Sequence, residues 1–384
     1  MREYNLVVIG ASFAGLCCAI ETARQGLTVA VFEKDKEVGQ HIRTTGIFPA
    51  GTCERNSIPE KFCTNAIDTL NFYSPKGKHV RVKGKQPRVY MSKTREYLQH
   101  LASEARRLGV TIYTNHLFTK AKKDKKIVCS FKSGRDFYAD FVIGADGCMS
   151  NTARVFGLSQ NKSLIAGKEY IVKNQNLPEN EFFCYFDTDL AYGYSAWVAP
   201  NESKMHIGLA CQPGKINEKL ERHYRRVAEK FNIKKNEILE KHSGFVPVGG
   251  SLRQVYNKSC LLLGDAAGLA SPLSMAGIPG AIESGRVGAR AVVMYLRTGE
   301  TGYLKAYRDF VKSYEIVNKE ILPRKMYNLI DTNHKLETVF DVLKDNKHLV
   351  QAMFLDRTKV RKREIAKIFL ENPRILKCFI QRGK

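Results

Sequence analysis

The chain has 384 residues, 43% of them hydrophobic, so it can bury a large core and is too apolar to be disordered. Lysine and arginine number 62 against 38 acidic residues, a formal charge of +24 that attracts polyanions such as nucleic acid, anionic lipid surfaces or phosphorylated substrates. No apolar stretch reaches the length of a membrane span, and Leu6 already begins a strand, so no signal peptide is expected.

In chain order, residues 5–33 read as a strand–helix–strand unit: an apolar strand at 6–9, a helix at 14–26 closed by Gly26, and a second strand at 27–33. Gly10-Ala-Ser-Phe-Ala-Gly15 fills the first turn. Gly10 permits the tight turn, and Gly15 lets the helix pack on the strand. The helix N-terminus then presents free N–H groups to a pyrophosphate. Glu33 closes the second strand, where a carboxylate can hold a ribose 2′-hydroxyl and disfavours a 2′-phosphate. The middle glycine of this fingerprint is Ser12 here. Its Cβ crowds the approach, and its hydroxyl can donate to phosphate.

Residues 40–92 read as loop-rich with scattered strands. Residues 94–108 form an amphipathic helix, with Tyr97, Leu98, Leu101, Ala105 and Leu108 on one side and Gly109 after it. Strands are expected at 110–113, 126–131 and 137–143, the last two joined by Lys132-Ser-Gly-Arg135 in a meander that returns to the first sheet and ends in Gly144-Ala-Asp-Gly147. From 165 to 255 the pattern is β-rich, with strands at 181–187, 193–199 and 204–210 and a helix at 216–231. Gly264-Asp265-Ala-Ala-Gly268 follows the apolar 261–263, and a long helix covers 277–297.

The remainder, 301–384, reads as helical and basic. Residues 357–384 carry ten basic residues and two acids, Glu364 and Glu371. Val360, Ile365, Ile368 and Phe369, then Ile375, Leu376, Phe379 and Ile380, form apolar faces on either side of Pro373. Such a segment either docks on the body with a solvated basic face or rests on an anionic lipid surface.

The ten cysteines are scattered with no CxxC pair, and the nine histidines lack metal-ligand spacing, so no metal site is expected. Free thiols in a reducing cytoplasm are the plain reading. A second Gly-x-Gly-x-x-Gly is absent, so no separate nicotinamide domain is expected. Only the charge argues for nucleic acid, which is not expected as a partner.

One glycine turn is weak evidence. Three of them, each after an apolar run and in this order, describe a chain that wraps one long dinucleotide, and FAD fits best. The third motif continues to Gly285. Asp265 is suited to hold a ribityl or ribose hydroxyl. Residues 276–280 open a helix whose N–H groups can stabilise negative charge at the flavin N1–O2 edge.

These motifs, with Asp146-Gly147, Ser150 and Arg154, resemble the flavoprotein superfamily typified by para-hydroxybenzoate hydroxylase. Within it the chain looks most like the geranylgeranyl reductase family, including archaeal digeranylgeranylglycerophospholipid reductases. The resemblance rests on Gly264–Gly285, Arg43-Thr-Thr-Gly46, Gly244-Phe-Val-Pro-Val-Gly-Gly250, Tyr194-Ser-Ala-Trp197-Val-Ala-Pro200 and His206-Ile-Gly-Leu209, and covers about residues 5–300. It implies an α/β fold: a glutathione-reductase-like FAD-binding Rossmann domain interleaved with a β-sheet substrate domain, plus a C-terminal helical segment. The expected boundaries are 1–164 for the FAD-binding domain, with loop 40–92 contributing to the substrate side, 165–255 for the substrate domain, 256–300 for a return to the FAD-binding domain, and 301–384 for the helical region.

The resemblance further implies that Ala14, Glu33, Thr44, Thr45, Leu117, Asp265, Gly277 and Ile278 join Gly10, Ser12 and Gly15 in binding FAD. The family has an arginine opening the helix at 94–108; here Thr94 stands in that place with Arg95 beside it. Tyr194, Trp197 and Pro200 are implied to line the substrate cavity. Ser195 and Ala199 replace an aromatic residue and a phenylalanine there, which shapes a wider cavity. Cys53 lies near the expected flavin-facing loop and is either a pocket thiol or a structural cysteine. No residue is assigned as proton donor.

The implied activity is FAD-dependent reduction of carbon–carbon double bonds in a polyprenyl, geranylgeranyl-type lipid. The electrons would come from NAD(P)H, ferredoxin or a reduced deazaflavin. The alternatives are an FAD-dependent monooxygenase or halogenase of the same fold, and a non-catalytic flavin-holding, membrane-associated binding protein. A halogenase needs Trp-x-Trp-x-Ile-Pro, which Ser195 and Ala199 break. The expected partners are an isoprenoid lipid and an anionic membrane surface, and the expected place is the cytoplasm, peripheral on the inner face of the membrane.

Overall fold

The computed structural model describes residues 2–173, 176–234, 237–347 and 370–380. The chain divides into two compact units. The first gathers Met1–Ile42, Lys93–Leu164 and Phe245–Ile321; the second gathers Arg43–Ser92, Ile165–Gly244 and Leu322–Lys384.

The first unit is built on a seven-stranded sheet. Its parallel part runs Thr111–Tyr113, Val29–Phe32, Glu3–Ile9, Asp136–Gly144. The strand Asp136–Gly144 is long enough to serve two neighbours on its far side. Its first half pairs antiparallel with Ile127–Phe131, and its second half pairs parallel with Cys260–Leu262. The register sets Ile9 opposite both Phe32 and Gly144, and Gly144 opposite Leu262. All three glycine turns therefore leave the same carboxyl edge of the sheet, where parallel sheets bind ligands.

The strands are apolar because helices cover them: Val29–Phe32 and Leu6–Ile9 are buried throughout. The helices Phe13–Arg24 and Ile278–Thr298 pack against each other at very short range. A β-carbon on Gly285 would lie 2.6 Å from the Ala14 carbonyl oxygen. The helix Thr94–Arg107 packs on Phe13–Arg24 through the Tyr97 and Phe13 rings, 5.8 Å apart. Helix Gly302–Ser313 follows, and its Tyr307 hydroxyl donates to the Leu262 carbonyl.

The second unit holds a seven-stranded and a three-stranded sheet. The larger runs Ile238–Pro247, Leu164–Lys173, Lys204–Cys211, Ala196–Asn201, Glu181–Tyr185, Thr69–Tyr73, His79–Lys83. One face is covered by the helix Ile216–Phe231, whose Tyr224 and Val227 pack on Val172, Val198, Met205 and Ile207. The other face carries Glu169, Trp197, His206 and Gly208. The smaller sheet joins Ile47–Pro49, Val89–Ser92 and Cys63–Ile67.

Several strands have no expectation behind them. Phe118–Lys123 is an edge strand whose lysines face solvent, so its pattern reads as a wet hairpin. Residues 40–92, expected to be loop-rich with scattered strands, supply five of them, and Thr69–Tyr73 has a pairing not foreseen, parallel to the remote Glu181–Tyr185. Beyond Gly302–Ser313 the helices among the described residues are Glu315–Tyr327, Asn333–Asp345 and Pro373–Ile380. The last packs on Asn333–Asp345, with Ile375 and Cys378 buried. Val360, Ile365, Ile368, Phe369 and most of the basic tail lie outside the described residues.

Gly285→Ala is expected to push these two helices apart and to lower stability by about 1–3 kcal/mol, the usual cost of overpacking. Urea unfolding of the purified variant measures this. An unchanged midpoint would mean that the helix pair relaxes freely.

Candidate functional site

In the first unit the carboxyl edge of the sheet forms a cradle of main chain. Gly10 has φ +105°, its N–H donates to the Phe32 carbonyl, and a β-carbon there would sit 2.4 Å from the Ala145 carbonyl oxygen. A β-carbon on Gly15 would lie 2.0 Å from the Gly10 carbonyl oxygen. Only glycine fits either place. Ser12 occupies the N-cap position of helix Phe13–Arg24 in an extended conformation, and its exposed hydroxyl makes no capping bond. No acidic residue sits in the first turn. The helix N–H groups and the Ser12 hydroxyl are thus left to face a phosphate. Ala14 is buried against Gly264.

Glu33 has a structural task as well. Its Oε2 accepts from the Ala11 N–H and its Oε1 from the Asp35 N–H, both at 3.0 Å. The carboxylate therefore ties the glycine turn to the end of the second strand while remaining half-buried at the cradle's rim. Leu117 is 44% exposed just beyond the adjacent strand Thr111–Tyr113. Arg95 projects from the first turn of helix Thr94–Arg107, packs its stem on Gly39 and donates to the Gln40 carbonyl.

The third motif forms a single tight turn, Gly264–Ala267, before the helix Ile278–Thr298. Asn161 holds this turn by donating to the Asp265 and Cys148 carbonyls. Among the described residues no group hydrogen-bonds to the Asp265 carboxylate. Burial alone pushes its pKa up to about 6. A β-carbon on Gly277 would meet Asp265 Oδ1 at 3.0 Å, and the helix that begins at Ile278 has no side-chain cap. An unpartnered, half-buried acid beside an uncapped helix N-terminus suits a ligand that brings hydroxyls and an electron-rich edge, as FAD does. The Asp146-Gly147 motif does other work: Asp146 accepts from Ser150 Oγ and from the Thr152 N–H and hydroxyl, capping the short helix Asn151–Val155.

In the second unit Thr44 Oγ1 accepts from the Gly46 N–H, shaping the turn before Ile47–Pro49. Thr45 Oγ1 donates to Glu169 Oε2 at 3.0 Å. Cys53 Sγ lies 3.5 Å from Cys63 Sγ, and burial pushes the Cys53 thiol up to about 12. It is a thiol at neutral pH, with no nucleophilic character. Pro200 is buried opposite Met205. Tyr194 is half-buried and meets Trp197 edge to face at 6.4 Å.

Trp197 is held from below. Its Nε1–H donates to Glu169 Oε2 at 3.3 Å. Gly208 stands opposite both Glu169 and Trp197 in the sheet, and a β-carbon there would lie 2.5 Å from the indole. The missing side chain at 208 lets the indole reach the carboxylate. Glu169 belongs to no motif, although its strand carries a signal. Ile165, Glu169 and Ile171 share one face of the strand, so the carboxylate falls in phase with buried apolar residues.

Comparison with known proteins adds identity to this geometry. The family described as FAD binding domain matches residues 3–313. A digeranylgeranylglycerophospholipid reductase from Methanocella arvoryzae is 26% identical over 395 residues, spanning 98% of this chain and 98% of that protein. One from Methanocaldococcus jannaschii is 26% identical over 399 residues, spanning 99% of each. The solved structure of a geranylgeranyl bacteriochlorophyll reductase-like protein from Thermoplasma acidophilum has the same fold, with a TM-score of 0.82 at 20% identity, over 98% of both chains.

Two expected outcomes concern the cradle. Glu33→Gln removes a charged acceptor worth about 1.5–3 kcal/mol, so FAD affinity should fall about tenfold or more in a fluorescence titration. An unchanged Kd would assign Glu33 to the turn alone. Asp265 titrates near 6 in the ligand-free protein, and a hydroxyl donated to it favours the ionised form. Binding therefore releases a proton below that pH. FAD affinity should rise from pH 5 to pH 6, flatten above pH 7, and lose that dependence in Asp265→Asn.

Proposed function

The chain belongs to the FAD binding domain family, and from that premise we propose that it is a flavin-dependent reductase saturating the double bonds of a polyprenyl, geranylgeranyl-type lipid. The observation that carries this reading is that the similarity to digeranylgeranylglycerophospholipid reductases runs from end to end, through the substrate-side unit as well as the flavin-binding one.

When bound, FAD supplies the hydride for an alkene carbon once an external donor has reduced it. The chain's own residues do the rest. The N-terminus of helix Phe13–Arg24, with Gly10, Ser12, Ala14 and Gly15, receives the pyrophosphate. Glu33 and Asp265 hold ribose and ribityl hydroxyls, and Arg95 and Leu117 flank the adenosine end. Gly277 and Ile278 bring the N-terminus of the long helix to the electron-rich edge of the flavin ring, where its dipole lowers the cost of negative charge. Thr44 and Thr45 are assigned to the flavin as well, as the resemblance to the reductases implies. Trp197, Tyr194 and Pro200 wall a dry cavity for the isoprenoid chain, with Cys53 an unreactive part of its lining.

No helix among the described residues is long and apolar enough to cross a membrane. We assign the encounter with lipid to the basic C-terminal segment, where each Lys or Arg near an anionic surface contributes about 1 kcal/mol. The expected location is peripheral, on the cytoplasmic face.

Stopped-flow mixing of the reduced protein with a geranylgeranyl lipid under anaerobic conditions tests the reaction. The flavin should reoxidise as the lipid gains hydrogen, without oxygen; reoxidation by oxygen alone would favour a monooxygenase. Trp197→Ala should slow that step about tenfold or more while leaving the visible flavin spectrum nearly unchanged. Sedimentation with anionic vesicles should be strong at low salt, weaken as salt rises, and fall on deletion after Pro373.

A further inference from the structure

Saturating a double bond takes a hydride on one carbon and a proton on the other, and nothing described so far supplies the proton. The second unit contains a hydrogen-bonded chain with the necessary shape. Its centre is Glu169, 3% exposed on the sheet face opposite the helix Ile216–Phe231. Oε2 accepts from Thr45 Oγ1 and Trp197 Nε1; Oε1 accepts from His206 Nδ1 at 3.3 Å and His242 Nδ1 at 3.1 Å.

The two histidines are in different states. Asn201 Oδ1 accepts from the Thr64 hydroxyl, which turns its amide nitrogen toward the Ser92 carbonyl and His206 Nε2. His206 Nε2 must therefore accept, so its one proton sits on Nδ1 and the ring is neutral. His242 has a carboxylate on both sides: Glu169 at Nδ1 and Glu240 Oε2 at Nε2, 3.2 Å away. Both nitrogens carry protons, and the ring is an imidazolium. Burial works against that charge, but the hydrogen bonds and charges of Glu169 and Glu240 outweigh it and raise the His242 pKa. Glu240 in turn accepts from Lys204 Nζ at 2.9 Å, and the Lys204 side chain is 45% exposed. The chain thus starts at solvent at Lys204 and Glu240, passes through His242 and Glu169, and emerges at the partly exposed Thr45.

We propose that Glu240, His242, Glu169 and Thr45 form a proton relay that loads from solvent and delivers to the alkene carbon opposite the one receiving hydride. The proposal rests on the reading of the protein as a double-bond reductase. In the step, the alkene π pair takes the proton of the Thr45 hydroxyl after that hydroxyl rotates away from Glu169. Glu169 first takes a proton from His242 Nδ1, the Thr45 oxygen then recovers its proton from the carboxyl group so formed, which returns to carboxylate, and His242 is reloaded from water by way of Glu240. One proton enters from solvent and one leaves to carbon, and no residue in the chain changes its net state over the cycle. His206, neutral and braced by Asn201, is a positioning residue that fixes the Glu169 carboxylate. Trp197 shares Oε2 with Thr45, so the same carboxylate that feeds the hydroxyl also sets the indole that walls the lipid cavity.

Charged groups that bear on His242 are Glu169 from the neighbouring strand, Glu240 from its own strand, and Lys204 beyond Glu240; Arg43 packs against Gly244, two residues along. The relay loads only while His242 is protonated. The rate of lipid reduction should therefore fall as pH rises through the raised His242 pKa. Glu240→Gln removes one of the two carboxylates, so that fall should move to lower pH.

The test uses the full-length FAD-loaded protein and single-turnover reduction of a detergent-dispersed geranylgeranyl lipid. Thr45→Val should slow reduction about a hundredfold, the low end for loss of a positioned acid. KM for the lipid should stay near the wild-type value, and Thr45→Ser should restore the rate. The wild type should show a solvent deuterium isotope effect on this step. Independently of activity, NMR titration of the flavin-free protein should show the His242 pKa raised above its ordinary value, and Glu169→Gln should bring it down. If Glu169→Gln does not fold, Glu240→Gln at the exposed end gives the same readout. An active wild type beside an equally fast Thr45→Val overturns the relay and leaves the reductase intact. A wild type that holds FAD yet leaves the double bonds intact overturns the reading of the reaction, and the relay with it. An imidazole titration unmoved in both carboxylate variants overturns the hydrogen-bond chain.

Discussion

The first unit depends on main chains that approach one another more closely than a β-carbon permits. A side chain on Gly15 would meet the Gly10 carbonyl oxygen at 2.0 Å, and one on Gly280 would meet the Leu269 carbonyl oxygen at 2.3 Å. These contacts draw two helix N-termini, at Phe13 and Ile278, to the carboxyl edge of one sheet. The carboxylates of Glu33 and Asp265 arrive with them. A long anion with hydroxyls at intervals is what such an edge can hold, since its positive dipole ends and its acceptors alternate. The flavin chemistry follows from the backbone before any reactive side chain is considered.

The second unit is organised around the opposite problem, a charge buried in a sheet. A carboxylate taken out of water is costly unless its lone pairs are filled. At Glu169 four donors from four separate segments fill them: Thr45, Trp197, His206 and His242. Burial works against the charge, but His206 and then His242 outweigh it and hold the group ionised, well below the usual carboxylate range. Gly208 is part of the same arrangement, because any larger residue would separate the indole from the acid. The network links the Trp197 indole to the loop at Thr45 and to a solvent-facing lysine. Structural bracing and proton supply thus draw on one set of bonds.

The elements that were legible in advance share a local cause. The strand–helix–strand start, the helix at 94–108 and the long helix after Gly277 each show apolar periodicity bounded by glycine, and each is present. Phe118–Lys123, Thr69–Tyr73 and His79–Lys83 were not legible. Phe118–Lys123 and His79–Lys83 are short, half charged and held in hairpins with their neighbours, while the uncharged Thr69–Tyr73 becomes a strand by also pairing with the remote Glu181–Tyr185. The candidate site divides in the same way. Gly10, Glu33 and Asp265 sit in motifs whose spacing is itself the mechanism. Glu169 and His242 belong to no motif, and Thr45, His206 and Trp197 were noticed for other reasons than their common partner.

The sequence by itself determined the FAD-binding class of this chain and the glycine turns that open its helices, because glycine turns after apolar strands act over a few residues and need no distant partner. It also carried the resemblance to the geranylgeranyl reductases through the run from Tyr194 to Pro200 and its neighbours. What only the tertiary structure decided is which side chains meet around a buried charge. Strand order brings residues 45, 169, 197, 206 and 242 onto one carboxylate. Hydrogen bonds reach about 3 Å in space with no regard for separation along the chain. Spacing in sequence could not reveal that meeting, because pairing between distant strands created it.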